Sequence, residues 1–289
     1  MRNETREKIM QAVFMTSALT SILAVGLICL FLFAGGLPAI GKIGFSNFLL
    51  GREWSPSDVP PSYGILPMIL GSVYVTLGAI FTGVPVGVLT AVFLAKICPK
   101  PMYRVMKPAV DLLAGIPSVV YGFFGLVVIV PWIRGIFGGT GSSILAASLL
   151  LGLMILPTVV SITESALRAV PDELYEGAVA LGADRERALY AVVLPAAKSG
   201  VATAVLLGVG RAIGETMAVV MVAGNQARMP AGILKGARTL TANIAIEMGY
   251  AAELHREALV ATGVVLFVFI LLINGLFSLG TALQRRAAR

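Results

Sequence analysis

Residues 171–199 read PDELYEGAVALGADRERALYAVVLPAAKS, a polar stretch between two long apolar runs of the sequence. Pro171 is followed by two acidic residues, which is typical of a helix start because proline suits the first turn and acids favour the positive end of the helix dipole. Gly182 predicts the end of this helix, and a second helix is predicted over about 184–193, before Pro195. The stretch therefore predicts a compact knob of two short helices rather than a plain connector.

The first of these predicted helices has an apolar side. Leu174, Tyr175, Ala178 and Leu181 would lie on nearly one face of it. An exposed helix with such a face suits a groove on a partner protein.

Charged residues are scarce in the chain as a whole. It has 289 residues, of which 57% are hydrophobic and 13% charged, and its mean hydropathy is +0.91. A soluble domain carries about 25% charged residues, so this composition excludes a soluble enzyme, a nucleic-acid module and a disordered chain. A helix needs about 20 apolar residues to cross a bilayer, and the sequence offers six such runs: roughly 11–34, 67–95, 109–133, 143–164, 200–223 and 258–281.

These runs predict an all-α membrane protein with six transmembrane helices, organised as a single domain over 1–289 with a loop at 165–199. The distribution of basic residues predicts the orientation. If both termini are cytoplasmic, 14 of the 22 Lys and Arg residues lie on the inner side, seven on the outer side and one inside a span. Cytoplasmic loops are enriched in Lys and Arg. The inner set is Arg2, Arg6, Lys8, Lys96, Lys100, Arg104, Lys107, Arg168, Arg185, Arg187, Lys198, Arg285, Arg286 and Arg289.

Two glycine pairs have the spacing GxxxG, namely Gly83/Gly87 and Gly210/Gly214. Such pairs allow helices to approach closely. One interpretation is static packing within the bundle, and the other is that closely packed, kinked helices shift against each other, as a transporter requires.

One arginine lies deep in a predicted span. Arg211 is near the centre of the fifth apolar run, with Glu215 four residues on and Thr216 next to it. A charge at that depth costs at least about 2.5–3.5 kcal/mol, so it needs compensation. Arg211 and Glu215 could form a self-neutralising pair one helical turn apart. Alternatively, Arg211 faces a water-filled path and offers its planar donor fork to an oxyanion, with Glu215 holding it and Thr216 as a smaller donor.

The knob carries a family motif. It contains Glu176-Gly177-Ala178, three residues, Gly182, nine residues, and then a four-residue end with Leu194-Pro195. This arrangement resembles the EAA loop of bacterial ABC-importer permeases, with Gly177 and Val192 as mild departures. The resemblance implies that residues 165–199 form a cytoplasmic coupling loop. Its residues Glu176, Gly177, Ala178, Gly182, Leu194 and Pro195 would dock on a separate ATPase subunit.

The ATPase itself is expected to be another chain, because no GxxxxGK[ST] phosphate loop occurs in the sequence. We therefore expect no cofactor in this chain, with ATP and Mg²⁺ on the partner. The single His255 argues against a zinc site, and no metal site is predicted.

Three further stretches narrow the resemblance. They are Ala114–Gly122 (AGIPSVVYG), Gly210–Ala218 (GRAIGETMA) and the segment 45–54. They look like the C-type permease subunits of phosphate-specific transport (Pst) systems, and the likeness extends over nearly the whole chain. It implies a type I ABC-importer transmembrane domain in the bacterial plasma (inner) membrane, with Arg211 and Glu215 taking part in phosphate passage.

The same resemblance implies the partners: a second, homologous permease subunit, two ATP-binding subunits, an extracytoplasmic phosphate-binding protein and the lipid bilayer, with no nucleic acid. An intramembrane arginine would serve sulfate, molybdate or phosphonate as well as phosphate, so a permease for another oxyanion stays open. A membrane-embedded enzyme would need a cluster of catalytic residues, which this sequence lacks. A passive anion channel would not need the coupling loop.

Overall fold

The computed structural model describes residues 2–287, with the side chains of residues 6–280. Arg289 and the side chains of Arg2, Arg285 and Arg286 lie outside that part. The described chain is mostly helical, with a short hairpin of β1 (Trp54–Ser55) and β2 (Ser62–Tyr63), whose antiparallel register pairs Trp54 with Tyr63. The helices are α1 (Arg2–Ile43), α2 (Phe45–Leu50), α3 (Leu66–Val92), α4 (Lys100–Gly115), α5 (Ser118–Phe124), α6 (Val130–Phe137), α7 (Ile144–Arg168), α8 (Asp172–Ala180), α9 (Arg185–Ala188), α10 (Leu194–Ala196), α11 (Lys198–Gly214), α12 (Met217–Val222), α13 (Leu240–Glu247) and α14 (Glu253–Ala287), with π-helical turns at Phe93–Ile97, Gly125–Ile129 and Leu189–Val193.

The membrane-spanning segments confirm the predicted all-α membrane fold. Within the described chain, five helical segments are long and apolar enough to span a bilayer, or six when a pair bent by 71°, Arg185–Ala196 with Lys198–Gly214, counts as one span. The five are Arg6–Ile43, Leu66–Ile97, Ser118–Phe137, Ile144–Arg168 and Glu253–Gly280.

The centre of the bundle is formed by α3 and α7, which approach closely because glycines lie between them. A Cβ atom on Gly83 would lie only 2.6 Å from the carbonyl oxygen of Gly152. Gly87 packs in the same way against Val159, where a Cβ would meet Cγ1 at 2.8 Å. The pair Gly83/Gly87 is therefore a packing contact within the chain.

Helix α11 lies on this central pair through its small residues. Gly208 faces Val159 and Ile155 of α7, and Ala204 and Ala212 are buried on the same side. One side of α11 is thus buried in the core, and the opposite side is not covered by α7.

Two further apolar clusters close the ends of the bundle. At the end that carries the coupling loop, hereafter the loop end, residues of α3, α7 and the segment 188–197 pack together. At the opposite end, hereafter the distal end, the hairpin packs with α2, α13 and the start of α14. The long helix α1 packs on α14, where Gly36 meets the backbone of Ala261.

The predicted span 109–133 is not one helix. α4 ends at Gly115, Ile116 is extended with ψ 126°, and α5 begins after Pro117. A residue before proline is disfavoured in the helical region, because the proline ring clashes with it. The spanning segment therefore starts at Ser118, and residues 109–115 belong to the separate, amphipathic α4.

The predicted span 200–223 is also interrupted. α11 ends at Gly214 and α12 begins at Met217, with Glu215 extended at φ −70° and ψ 132°. No proline causes this break. Instead, the side chains of Glu215 and Thr216 bond to nearby backbone groups, which offers the chain an alternative to the helix.

The glycine contact between α3 and α7 can be tested by adding one methyl group. We expect Gly83→Ala to destabilise the purified protein by about 1–3 kcal/mol, since the new Cβ would meet the Gly152 backbone and neither helix can yield. Gly26→Ala is the matched control, because a Cβ there meets nothing within 4 Å. Thermal unfolding of both variants in detergent checks this. Equal melting temperatures would contradict the packing role.

Candidate functional site

The three predicted path residues lie together at the break between α11 and α12. Arg211 is in the last turn of α11, Glu215 is the extended residue after it, and Thr216 precedes α12. They lie within six residues of one another but do not share one continuous helix.

Arg211 and Glu215 do not form the ion pair that their spacing predicted. The helix ends before Glu215, so a separation of four residues no longer places the two side chains one turn apart. Within residues 6–280, the Arg211 guanidinium has neither a hydrogen bond nor an ion pair, and its side chain is exposed. The self-neutralising pair and the holding role of Glu215 were both wrong.

The side of α11 that carries Arg211 is uncovered. The exposed residues recur every three or four positions, which places them on one helix face: Thr203, Leu207, Gly210, Arg211 and Gly214. A Cβ on Gly210 or Gly214 would meet nothing within 4 Å. The pair Gly210/Gly214 is thus not a packing contact within this chain, in contrast to Gly83/Gly87.

Glu215 is held by the backbone instead. Its carboxylate accepts a hydrogen bond from the Ala218 amide at 3.1 Å, at the start of α12, where negative charge is favourable. Its carbonyl oxygen accepts from the Thr241 hydroxyl at 2.9 Å. The Thr216 hydroxyl donates to the Gly214 carbonyl at 3.3 Å. These contacts satisfy polar groups that the break would otherwise leave unpaired.

The segment interrupted at Ile116–Pro117 lies next to the one interrupted at Glu215. Gly122 of α5 packs against Ala218 of α12, where a Cβ would lie 3.0 Å from its Cα. The Tyr121 hydroxyl donates to the Leu113 carbonyl at 2.9 Å and so bridges the Ile116–Pro117 break. Sequence reasoning did not single out Tyr121, although it lies in the quoted stretch 114–122.

The coupling loop has the predicted helix, glycine turn and second helix. α8 ends at Ala180 and Gly182 has φ +91°, a conformation that suits glycine because it has no Cβ. The second helix is short and continues as a π-helical turn. Of the predicted docking residues, Ala178 and Leu194 are half-buried, and the exposed ones are Glu176, Gly177, Gly182 and Pro195.

The predicted apolar docking face is wrong in part. Leu174 and Leu181 are exposed, at 45% and 92% of their surface. Tyr175 instead packs against the cluster at the loop end, and Ala178 is half-buried. The first helix of the loop thus uses Tyr175 to attach itself to the bundle and leaves Glu176 and Gly177 free.

An ion pair also connects the loop to the π-helical turn Phe93–Ile97, which follows α3. Lys96 donates to Asp172 at 2.7 Å. The hydrogen bond from Lys96, together with its charge, holds the pKa of the exposed Asp172 carboxyl below its ordinary value. An exposed pair of this kind orients more than it stabilises.

A buried carboxylate lies near the base of the loop. Glu164 accepts from the Tyr103 hydroxyl at 2.7 Å and from Arg168 at 2.9 Å, while Lys107 lies 3.4 Å away and bonds Asp111 at 2.9 Å. The structure brings these residues into one charged cluster joining α4 and α7.

A second buried carboxylate organises the distal end. Glu247 accepts hydrogen bonds from Trp54 and Arg238 and contacts the ring of His255 at 2.8 Å. The three partners come from the hairpin, the segment before α13 and the start of α14. Sequence reasoning missed this cluster, for which the only signal was an arginine and a glutamate nine residues apart.

The fold is shared with a solved ABC transporter. The described chain matches a chain of a bacterial alginate ABC transporter, solved in complex with an alginate-pentasaccharide-bound periplasmic protein. The TM-score is 0.62 at 17% identity, over 94% of this chain and 95% of that one. The fold is that of a type I ABC-importer transmembrane domain.

Sequence comparisons identify the family. Residues 83–288 match the binding-protein-dependent transport system inner membrane component family. The chain is 42% identical to the probable ABC transporter permease protein YqgH of Bacillus subtilis strain 168, over 90% of this chain and 87% of YqgH. It is 36% identical to the phosphate transport system permease protein PstC of Mesorhizobium japonicum, over 92% of this chain and 87% of that relative. The chain belongs to this family of inner-membrane transport components and is not an enzyme.

The capping contact of Glu215 predicts different effects for two substitutions. Glu215→Ala removes the acceptor for the Ala218 amide, and we expect it to lower the free energy of unfolding by about 1 kcal/mol. Glu215→Gln keeps an oxygen acceptor and should lose less than half as much, because only the charge–dipole part is lost. Thermal unfolding measures both. Equal losses would show that the charge, and not the acceptor, matters.

Proposed function

We propose that the chain is the transmembrane permease subunit of an ATP-driven importer of inorganic phosphate. Support comes from its relatives, among which permeases named for phosphate transport recur at 31–37% identity over most of the chain. In this proposal the subunit forms half of the translocation path, and ATP hydrolysis takes place on another chain.

The observation that carries the proposal is the uncovered arginine. Arg211 lies on a face of α11 made of threonine, leucine and glycine, next to the break in the span. A guanidinium turned to lipid at this depth would be costly. The face is therefore directed to a water-filled path between this chain and a second, homologous permease subunit.

The chemistry of Arg211 suits a phosphate ion. A guanidinium stays charged, is weakly hydrated and offers a planar fork of N–H donors that matches the oxygens of an oxyanion. Since Glu215 is engaged by the α12 backbone, the Arg211 charge is not neutralised by it and is free for the substrate. Thr216 and the open backbone at Gly210 and Gly214 let an anion approach closely.

The coupling loop supports the other half of the proposal. Glu176 and Gly177 are exposed on α8. The loop is attached by Lys96 to the π-helical turn that follows α3, and by Tyr175 to the apolar cluster at the loop end. A push on the loop is thus passed directly to the bundle. In this proposal two ATP-binding subunits, which hold the ATP and Mg²⁺, dock on the cytoplasmic loop end, and an extracytoplasmic phosphate-binding protein docks at the distal end.

Alternating access follows from these parts. Both α5 and α12 begin after a break, and they pack on each other through Gly122 and Ala218. Two half-helices can shift relative to α4 and α11 without unravelling a continuous helix. Closure of the ATP-binding subunits would move the loop end, and the breaks would open the path to one side of the membrane at a time.

The substrate role of Arg211 is tested with a conservative loss of charge. In proteoliposomes containing the whole complex, we expect Arg211→Gln to reduce uptake of radiolabelled phosphate at least about tenfold, the loss of one charged hydrogen bond, while the complex still assembles. Arg104→Gln, at an exposed arginine of α4, is the control. Sulfate is the competitor. Full uptake by R211Q, or equal inhibition by sulfate and phosphate, contradicts the proposal.

Orientation and docking are tested with one cysteine. In a background lacking Cys29 and Cys98, Ala180→Cys places a thiol on the exposed end of α8. We expect a membrane-impermeant maleimide to label it only from the cytoplasmic side, and less once the ATP-binding subunits are bound. Val59→Cys, which is 99% exposed at the distal end, should label only from outside. The reverse pattern would overturn the orientation.

A further inference from the structure

Among the hydrogen bonds at the break in the fifth span, one comes from a different element of the described chain. The Thr241 hydroxyl, on the first turn of α13, donates to the carbonyl oxygen of Glu215 at 2.9 Å. The other hydrogen bonds of Glu215 and Thr216 join residues within the segment 212–220 itself. The position of the break relative to the rest of the protein is thus tied to Thr241.

Thr241 is itself fixed. Its oxygen lies 3.1 Å from the Thr239 hydroxyl, and because Thr241 gives its proton to Glu215, Thr239 is the donor in this contact. Thr239 in turn accepts from the Ala242 amide at 3.2 Å and so caps α13. The result is a directed chain from Thr239 to Thr241 to the Glu215 carbonyl, in which each bond polarises the next.

The base of this chain is rigid. The Leu240 amide donates to the Ser72 hydroxyl of α3 at 3.0 Å, and Leu240, Thr239 and Ser72 are buried. The other end is open: Glu215 is half-buried and Arg211 exposed. The hydrogen bond therefore joins the fixed core at α3 and α13 to the segment that carries the free arginine.

We propose that Thr241 is a positioning residue for anion transport, whose hydroxyl holds the Glu215 backbone and thereby directs Arg211 into the path. This inference rests on the proposed function of Arg211. Thr241 touches no substrate, and it acts through the backbone four residues after Arg211. Loss of the hydroxyl leaves a carbonyl unpaired beside the path, and the break then samples positions in which the guanidinium no longer meets the anion.

The test compares near-isosteric side chains in the reconstituted complex with its binding protein. The readout is the number of radiolabelled phosphate ions imported per ATP hydrolysed. We expect Thr241→Val to lower this ratio about fivefold, the population change that follows from losing one ordinary hydrogen bond. Thr241→Ser keeps the donor and should restore the ratio to within about twofold. Thr262→Val is the matched control, because Thr262 is buried and bonds only its own helix at the Ala258 carbonyl, 2.9 Å away.

A structural role alone would lower the yield and melting temperature of the complex and leave the ratio per assembled complex unchanged, and that result overturns the proposal. An equal loss of ratio in T262V also overturns it. If T241V does not assemble, Thr241→Cys, of similar size but a weaker donor, decides: a ratio below that of T241S supports the proposal, and a wild-type ratio refutes it.

Arg211→Gln is measured in parallel to separate the two claims. If R211Q loses transport and T241V keeps the wild-type ratio, the positioning role fails and the proposed function stands. If R211Q keeps the wild-type ratio, the role of Arg211 in phosphate transport fails, and with it the positioning role, whatever T241V does. Loss of ratio in both variants, with rescue by T241S, supports both.

Discussion

A helix that stops within a membrane leaves carbonyl and amide groups without partners, and the bilayer offers no water to satisfy them. The fifth span of this protein stops at Gly214 and starts again at Met217. Two hydrogen bonds satisfy these groups. The Ala218 amide donates to the Glu215 carboxylate, and the Thr241 hydroxyl donates to the Glu215 carbonyl. The break can exist because these groups are present. Among the side chains that the structure describes, Arg211 has no partner, since Glu215 is engaged elsewhere.

The packing of α11 gives this break its direction. Its glycine and alanine side lies on α7, where Gly208 meets Val159, so the opposite side cannot enter the core of the same chain. The packing that holds α11 in the bundle therefore also keeps Arg211 on the exposed side of this helix. A similar division of labour occurs in the coupling loop, where Tyr175 attaches α8 to the bundle and Glu176 stays exposed.

Much of this architecture follows from local sequence. Apolar runs define the spanning segments, and Gly182 marks the turn of the coupling loop, because chain length and a positive φ are properties of a single stretch. The break at Ile116–Pro117 was not predicted: a residue before proline is biased away from the helical region, yet Pro85 and Pro157 lie inside continuous helices, so a proline alone does not mark a break. The break at Glu215 was not predicted either, because the groups that stabilise it include Thr241, 26 residues away. For the same reason the partners of Glu247, which come from three separate segments, could not be assigned in advance.

The order of the helices along the chain bears on how the protein is made. The fifth span is the one that enters a bilayer least readily, since α11 has only 17 residues, contains an arginine and ends at a break. The helices against which it packs most extensively, α3 and α7, precede it in the sequence, whereas α14, which it also contacts, follows it. When α11 leaves the ribosome, the surface of α3 and α7 on which it docks has therefore already been synthesised. The order of the helices therefore allows α11, the segment least suited to insert alone, to pack on helices that are already present instead of facing lipid on all sides.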